Sequence, residues 1–223
     1  MDKERALKDY EANAPCLDLH LEALAYIVKQ RGEPLEGNSF YYHQSMFRFA
    51  QLFTKQVNLF WFGSQAPSRI CEIGFNAGHS SLLMLLGRRG KPVILTLFDI
   101  GEHTYTRPAV EYIRSQNPNA TIEFIEGDST RTMPEWIANH PECASKYDLV
   151  HVDGGHSEEC IRNDLQNALA LTRVGGVLIV DDVNVSYINE WVNIYVSQQL
   201  CEEVDVFPTQ GYPHRVIRKI RDK

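Results

Sequence analysis

Asp153 and His156 stand three residues apart in the stretch VHVDGGHSEECIRND. One offers an oxygen donor and the other a proton acceptor. Asp181 and Asp182 add two adjacent carboxylates further along. Three carboxylates that converge repel one another unless protons or a cation intervene. An all-oxygen set of Asp153, Asp181 and Asp182 suits Mg²⁺, or Mn²⁺ as a second hard cation, and such an ion can accept a substrate oxygen. An imidazole with an ordinary pKa of about 6.5 can take a proton at neutral pH, so His156 is a candidate general base. The competing reading is structural. GGH is then a plain turn with His156 capping a helix, and Asp181 and Asp182 are solvated loop residues.

A second grouping lies nearer the N-terminus. CEIGFNAGHSS contains Glu72-x-Gly74-x-x-x-Gly78. Glycines at such a turn let the backbone approach a ligand closely, and a helix starting near Gly78 aims free N–H groups into the loop. The glycine spacing departs from the dinucleotide fingerprint GxGxxG. Asp99 follows 25 residues after Gly74, where a carboxylate can accept from both hydroxyls of a ribose. In EGDST, Asp128 can accept from a purine amino group and the N–H of Ser129 can donate to a ring nitrogen. The plainer alternatives are a solvated turn for Asp99 and a helix N-cap for Asp128 and Ser129.

These residues need elements to position them. From Ser68 onward short apolar runs alternate with helical segments. SRICEIG, PVILTLFDI, ATIEFIEGD, YDLVHVD and GGVLIVDDV read as strands, with helices between them and after the last. EEVDVFP and HRVIRKI close the chain as a strand pair. Such alternation predicts a Rossmann-like, doubly wound α/β sheet of seven strands, mostly parallel with one antiparallel terminal strand. Ligands bind such sheets beyond the carboxyl ends of the strands, where every candidate stands. Adjacent strands lie about 5 Å apart, so carboxylates at neighbouring ends can converge.

Residues 1–62 lack convincing strands and read as an N-terminal helical cap on a domain of residues 63–223. Leu17, Leu21, Leu24, Ile27 and Val28 recur at helical spacing. In SFYYHQSMFRFAQLF, Phe47, Phe49 and Phe53 are expected in the core, while Tyr41, Tyr42 and His43 are placed to cover a substrate. His79 is expected in a first helical turn, His151 as a packed strand residue, and RKIRDK as a solvated basic tail.

The motifs EIGFNAG, FDI and EGDST resemble the successive S-adenosylmethionine motifs of class I methyltransferases, over roughly residues 65–223. That resemblance implies that Glu72, Gly74, Asn76 and Gly78 line the methionine and ribose side, Asp99 the ribose, and Asp128 with Ser129 the adenine. Asp-x-x-His followed by an acidic pair is similar to the metal-dependent sugar and natural-product O-methyltransferases of the macrocin, mycinamicin and cephalosporin-hydroxylase type. It implies Mg²⁺ on the acidic trio and His156 as base, acting on a small-molecule or carbohydrate hydroxyl. The usual pair there is Glu-Asp; here it is Asp181-Asp182. A catechol-type methyltransferase ends its trio in Asp-Asn, and Asn184 comes two residues late for that.

Composition narrows the alternatives. A net charge of −7 argues against nucleic acid as a partner, because phosphate binding needs Lys and Arg in excess. No run of apolar residues is long enough to span a bilayer. Five scattered cysteines without a CxxC read as reduced thiols of a cytoplasmic protein. An aromatic-rich N-terminal segment offers a surface for a homodimer. Beside methyl transfer stand a nicotinamide-dependent oxidoreductase, disfavoured by the glycine spacing, and a non-catalytic cofactor-binding protein.

Overall fold

The structure, a computed structural model, describes residues 2–42, 48–65 and 67–222. The chain opens with α1 (Lys3–Ala12), whose N-cap Asp2 accepts from the N–H of Arg5 at 2.8 Å. In α2 (Ala14–Arg31) the stripe Leu17, Leu21, Leu24 and Val28 is buried, and Gly32 ends the helix in the left-handed region. After a short 3₁₀ turn comes α3 (Phe53–Ser64).

The alternating half follows as β1 (Arg69–Ile73), α4 (His79–Arg88), β2 (Val93–Asp99), α5 (Thr106–Gln116), β3 (Ala120–Glu126) and α6 (Ser129–Asn139). It continues as β4 (Tyr147–Val152), α7 (Glu158–Leu171), β5 (Thr172–Val180), α8 (Ser186–Ser197), β6 (Cys201–Glu203) and β7 (Arg215–Lys219). The sheet has seven strands in the order β3-β2-β1-β4-β5-β7-β6. β1 to β5 pair in parallel, and β7 runs antiparallel between β5 and β6. The expected Rossmann-like sheet with one antiparallel strand is therefore what forms. The order reverses between β1 and β4, and a crevice opens at such a switch point.

Strand alternation splits the core in two. Ile70, Leu95, Leu97, Leu149 and Ile179 face a layer that contains residues of α1 to α5. Cys71, Ile73, Phe98, Val150, Val152, Leu178 and Val180 face α6 to α8. The N-terminal helices thus share one apolar core with the sheet, and α3 runs past residue 62 to Ser64. α3 and α4 meet at backbone distance. A Cβ on Gly63 would lie 2.1 Å from the carbonyl oxygen of Met84, and one on Gly87 would lie 2.2 Å from that of Phe60.

Two expectations need adjustment, and two residues cannot be compared. Phe53 opens α3 at the rim and is 38% exposed, not buried. Phe47 and His43 lie outside the described residues. Lys219 belongs to β7 rather than to a solvated tail. It is buried and donates to the carbonyls of Leu169 and Thr172 at 3.0 and 2.8 Å. Among the described residues, no helix is long and apolar enough to cross a membrane.

Candidate active site

A cavity of about 620 Å³ lies at the carboxyl ends of β1 to β5. Gly74, Asn76, Asp99, Asp128, Ser129, Asp153, His156 and Asp182, all singled out from sequence, line it. β1 and β4 end in register, with Ile73 opposite Val152. The N–H of Asp153 donates to Ile73 at 2.8 Å, and that of Asp181 donates to Val152 at 2.9 Å. The ladder thus extends one residue past each strand and fixes where these aspartates leave the sheet.

On the β1–β2 side the turn is held by Asp99. Its Oδ2 accepts from the N–H of Asn76 at 2.7 Å and its Oδ1 from that of Gly101 at 2.8 Å. Asn76 sits in the left-handed region, and its side-chain oxygen accepts from the Tyr105 hydroxyl at 2.8 Å. Gly74 also has positive φ, and its N–H donates to Phe98 at 2.8 Å. Asp128 caps α6 by accepting from the N–H and hydroxyl of Thr130, at 2.9 and 2.7 Å. The capping role of Asp128 and its place on the cavity wall coexist. Ile100, next to Asp99, also lines the cavity and is 59% exposed, an apolar side chain left open beside a carboxylate.

His156 does not cap the next helix. Ser157 does, accepting from the N–H of Cys160 at 3.1 Å. That leaves the imidazole free, and its Nε2 lies 2.7 Å from Oδ2 of Asp182. A carboxylate only accepts, so Nε2 carries a hydrogen, and in the neutral ring Nδ1 holds the lone pair. Donating that hydrogen bond to the Asp182 carboxylate raises the His156 pKa above the ordinary value. Asp182 adopts positive φ, a conformation uncommon for a non-glycine residue. The Tyr187 hydroxyl donates to the His156 carbonyl and secures the loop from α8.

Beneath this surface lies a buried charge cluster. The ammonium of Lys55, from α3, pairs with Oδ2 of Asp181, and both side chains are almost wholly buried. The other oxygen of Asp181 accepts from the N–H of Asp182 at 2.9 Å. Burial would raise the Asp181 carboxyl, but Lys55 together with His151 holds it below its ordinary value. Burial and the charge of Asp181 push Asp153 well up. Burial alone would lower Lys55; Asp181 and Asp153 more than reverse that.

The expected metal ligands are therefore divided. Among the described residues, two donor sets come within 4.8 Å, namely His151, Asp153 and Asp181, and Asp153, His156 and Asp182. The trio of Asp153, Asp181 and Asp182 alone is not one of them. Asp181 is already occupied at both oxygens, one of them by a cation. Each set that does form includes a histidine, so neither is the all-oxygen trio expected for Mg²⁺ or Mn²⁺.

Glu72 and Gly78 do not reach the cavity wall. Glu72 is one residue short of the end of β1, so it points into the helix layer. There it accepts from the Ser81 hydroxyl and sits 2.9 Å from Nδ1 of the buried His151. Lys55, Tyr41, His103 and Tyr212 line the cavity and were not singled out as site residues from sequence, although Tyr41 stood as a candidate cover. The only sequence signal for Lys55 was a cation in the aromatic-rich helical stretch FTKQVNLFWFG.

Comparison with known proteins bears on what this cavity is. The model of a family described as a methyltransferase domain matches residues 71–183, half of the chain, spanning β1 to the end of β5 and its acidic pair. The chain belongs to this methyltransferase-domain family. A search of curated proteins returned no match. Among solved structures, TomG of Streptomyces achromogenes is an O-methyltransferase of tomaymycin synthesis, determined in complex with S-adenosylmethionine. It is similar over 100% of both chains at 18% identity, with a TM-score of 0.66. An O-methyltransferase from Bacillus cereus in complex with S-adenosylhomocysteine is similar over 91% of this chain and 90% of its own. Identity there is 17% and the TM-score 0.63. A TDP-rhamnose 3′-O-methyltransferase of calicheamicin biosynthesis covers 76% of this chain and 81% of its own, at 14% identity and a TM-score of 0.59. At these identities the likeness is one of fold. The methyltransferase domain of this chain carries its candidate chemistry at the strand ends that the family match includes.

Proposed function

We propose that this protein transfers a methyl group from S-adenosylmethionine to a hydroxyl oxygen of a small molecule or sugar, with His156 as general base. The observation that carries the reading is a single cavity with Asp99 on one wall and the His156–Asp182 pair on another. The first suits a nucleoside and the second suits a hydroxyl. Family membership supports methyl transfer, and the O-methyltransferase neighbours support oxygen as the acceptor atom.

The cavity suits the cofactor on its own chemistry. Asp99 retains lone pairs beyond the two N–H groups it accepts, enough for ribose hydroxyls. The open Ile100 side chain offers an apolar face to a purine, with Asp128 and Ser129 at its edge. S-adenosylmethionine, when bound, supplies an electrophilic methyl group on a sulfonium. The protein's part is position and proton transfer. Nδ1 of His156 accepts the hydroxyl proton, and Asp182 orients the ring and stabilises the imidazolium that forms. Holding the oxygen about 3 Å from the methyl carbon contributes further. The metal-dependent form of the mechanism, with Asp153, Asp181 and Asp182 as ligands, is the weaker variant because Lys55 already faces Asp181.

A screen of monosaccharide and catechol hydroxyls with methyl-labelled cofactor tests the reading. Label is expected on an acceptor oxygen. Absence of any transfer, with S-adenosylhomocysteine binding intact, would point to a cofactor-binding protein instead. Asp99→Ala is expected to weaken S-adenosylhomocysteine binding by roughly 1.5–3 kcal/mol, the scale of hydrogen bonds to a charged acceptor. Isothermal titration measures this, and unchanged affinity would remove Asp99 from the nucleoside site.

A further inference from the structure

We infer that Lys55 is the fixed cation of this site and takes the place that a divalent metal would fill, so that methyl transfer proceeds without metal. The inference rests on the methyl-transfer reading and adds the source of positive charge to it. A lysine buried on α3 needs a reason. Uncompensated, its charge would be costly to hold away from water. The compensation is Asp181, which it meets with both side chains nearly inaccessible. Lys55 also reaches the cavity, beside Asp153, His156 and Asp182. It therefore stands between the buried carboxylate and the space where an acceptor would lie.

Its neighbours are arranged around that charge. The second oxygen of Asp181 accepts from the N–H of Asp182, so an ion at Asp181 would have to displace or sit beside the ammonium already paired with it. Asp182 in turn accepts at Oδ2 from Nε2 of His156. Each close donor set thus contains a group already committed, to Lys55 in one case and to the His156–Asp182 pair in the other. α3, which carries Lys55, packs on α4 at backbone distance. An ammonium has three donors. Asp181 uses one, which leaves donors for Asp153 and for the acceptor oxygen.

In the transfer, Lys55 keeps all its protons. The acceptor's proton goes to Nδ1 of His156, the new bond forms between oxygen and the methyl carbon, and the pair from the broken carbon–sulfur bond stays on sulfur. The negative charge that builds on oxygen is met by the ammonium. Such stabilisation by a preorganised charge in a dry site does not require a metal.

Mn²⁺ alone is the probe, followed by its paramagnetic resonance signal in the presence of full-length protein. The wild type is expected to leave millimolar Mn²⁺ free. Lys55→Ala and the near-isosteric Lys55→Met are expected to bind one Mn²⁺ per chain at least tenfold more tightly than wild type. Adding Asp153→Asn should abolish that gain. Stoichiometric Mn²⁺ uptake by the wild type, lost in Asp153→Asn, would overturn the inference, and this arm needs no Lys55 variant to fold. Variants at Lys55 that melt cooperatively yet gain no Mn²⁺ would overturn it too. S-adenosylhomocysteine titration of the wild type runs alongside. Failure there would sink the methyl-transfer reading while leaving the Mn²⁺ result to judge Lys55 separately.

Discussion

His156→Ala is expected to lower kcat by roughly 10²–10⁴-fold, the usual contribution of a positioned general base, with affinity for S-adenosylhomocysteine nearly unchanged. The imidazole stands on the Asp182 side of the cavity, away from Asp99, so its loss strips the acceptor side and spares the nucleoside side. The pH dependence has a definite sign. Catalysis needs the neutral ring. Asp182 raises the His156 pKa above about 6.5 by holding the Nε2 hydrogen. The acid limb of the kcat/KM profile should therefore have its midpoint above 6.5, with rate rising as pH climbs through it. Asp182→Asn removes the negative partner, so the midpoint should move down while the maximal rate falls from lost orientation. A His156→Ala enzyme with wild-type rate and profile would return the Asp-x-x-His spacing to an ordinary turn.

Gly74→Ala should have the largest effect on stability. A Cβ at that position would sit 1.8 Å from the carbonyl oxygen of Asp153, and Gly74 has φ of +88°. The obstacle is backbone of the neighbouring strand end, which cannot swing aside as a flexible side chain would. Strands β1 and β4 would have to part where Asp153 leaves the sheet. Loss of more than about 4 kcal/mol is expected, a size reached only by a few mechanisms, such as overpacking and backbone strain. Gly90→Ala is the control. It shares a positive φ, but its Cβ would meet nothing within 4 Å, so it should cost only the roughly 1–2 kcal/mol of the left-handed conformation. Urea midpoints compare the two. Equal losses would show that the β1–β4 approach is not the constraint at Gly74.

Much of this molecule is legible in one dimension. The alternation of apolar runs and helical segments determines a parallel sheet, because the period of burial follows from the local geometry of strand and helix. Asp99 and Asp153 could be placed because each stands at the end of an apolar run, and the ends of parallel strands meet at one edge. The glycine turn after β1 follows from the same local rules.

Tertiary structure decided which groups face one another. Lys55 is 126 positions before Asp181, and nothing in either segment announces the other. Their pairing follows from α3 packing on α4 at backbone distance, which brings a helix of the N-terminal region under the ends of β4 and β5. Glu72 carried the right residue type in the right motif, yet one step along a strand turns a side chain to the opposite face, and it ended in the buried network with Ser81 and His151. Asp181 and Asp182, neighbours in sequence, part for the same reason, one inward to Lys55 and one outward to His156. Local periodicity sets what each segment becomes, whereas the charge balance of the site is set by long-range packing, and a buried charge takes whichever partner that packing delivers.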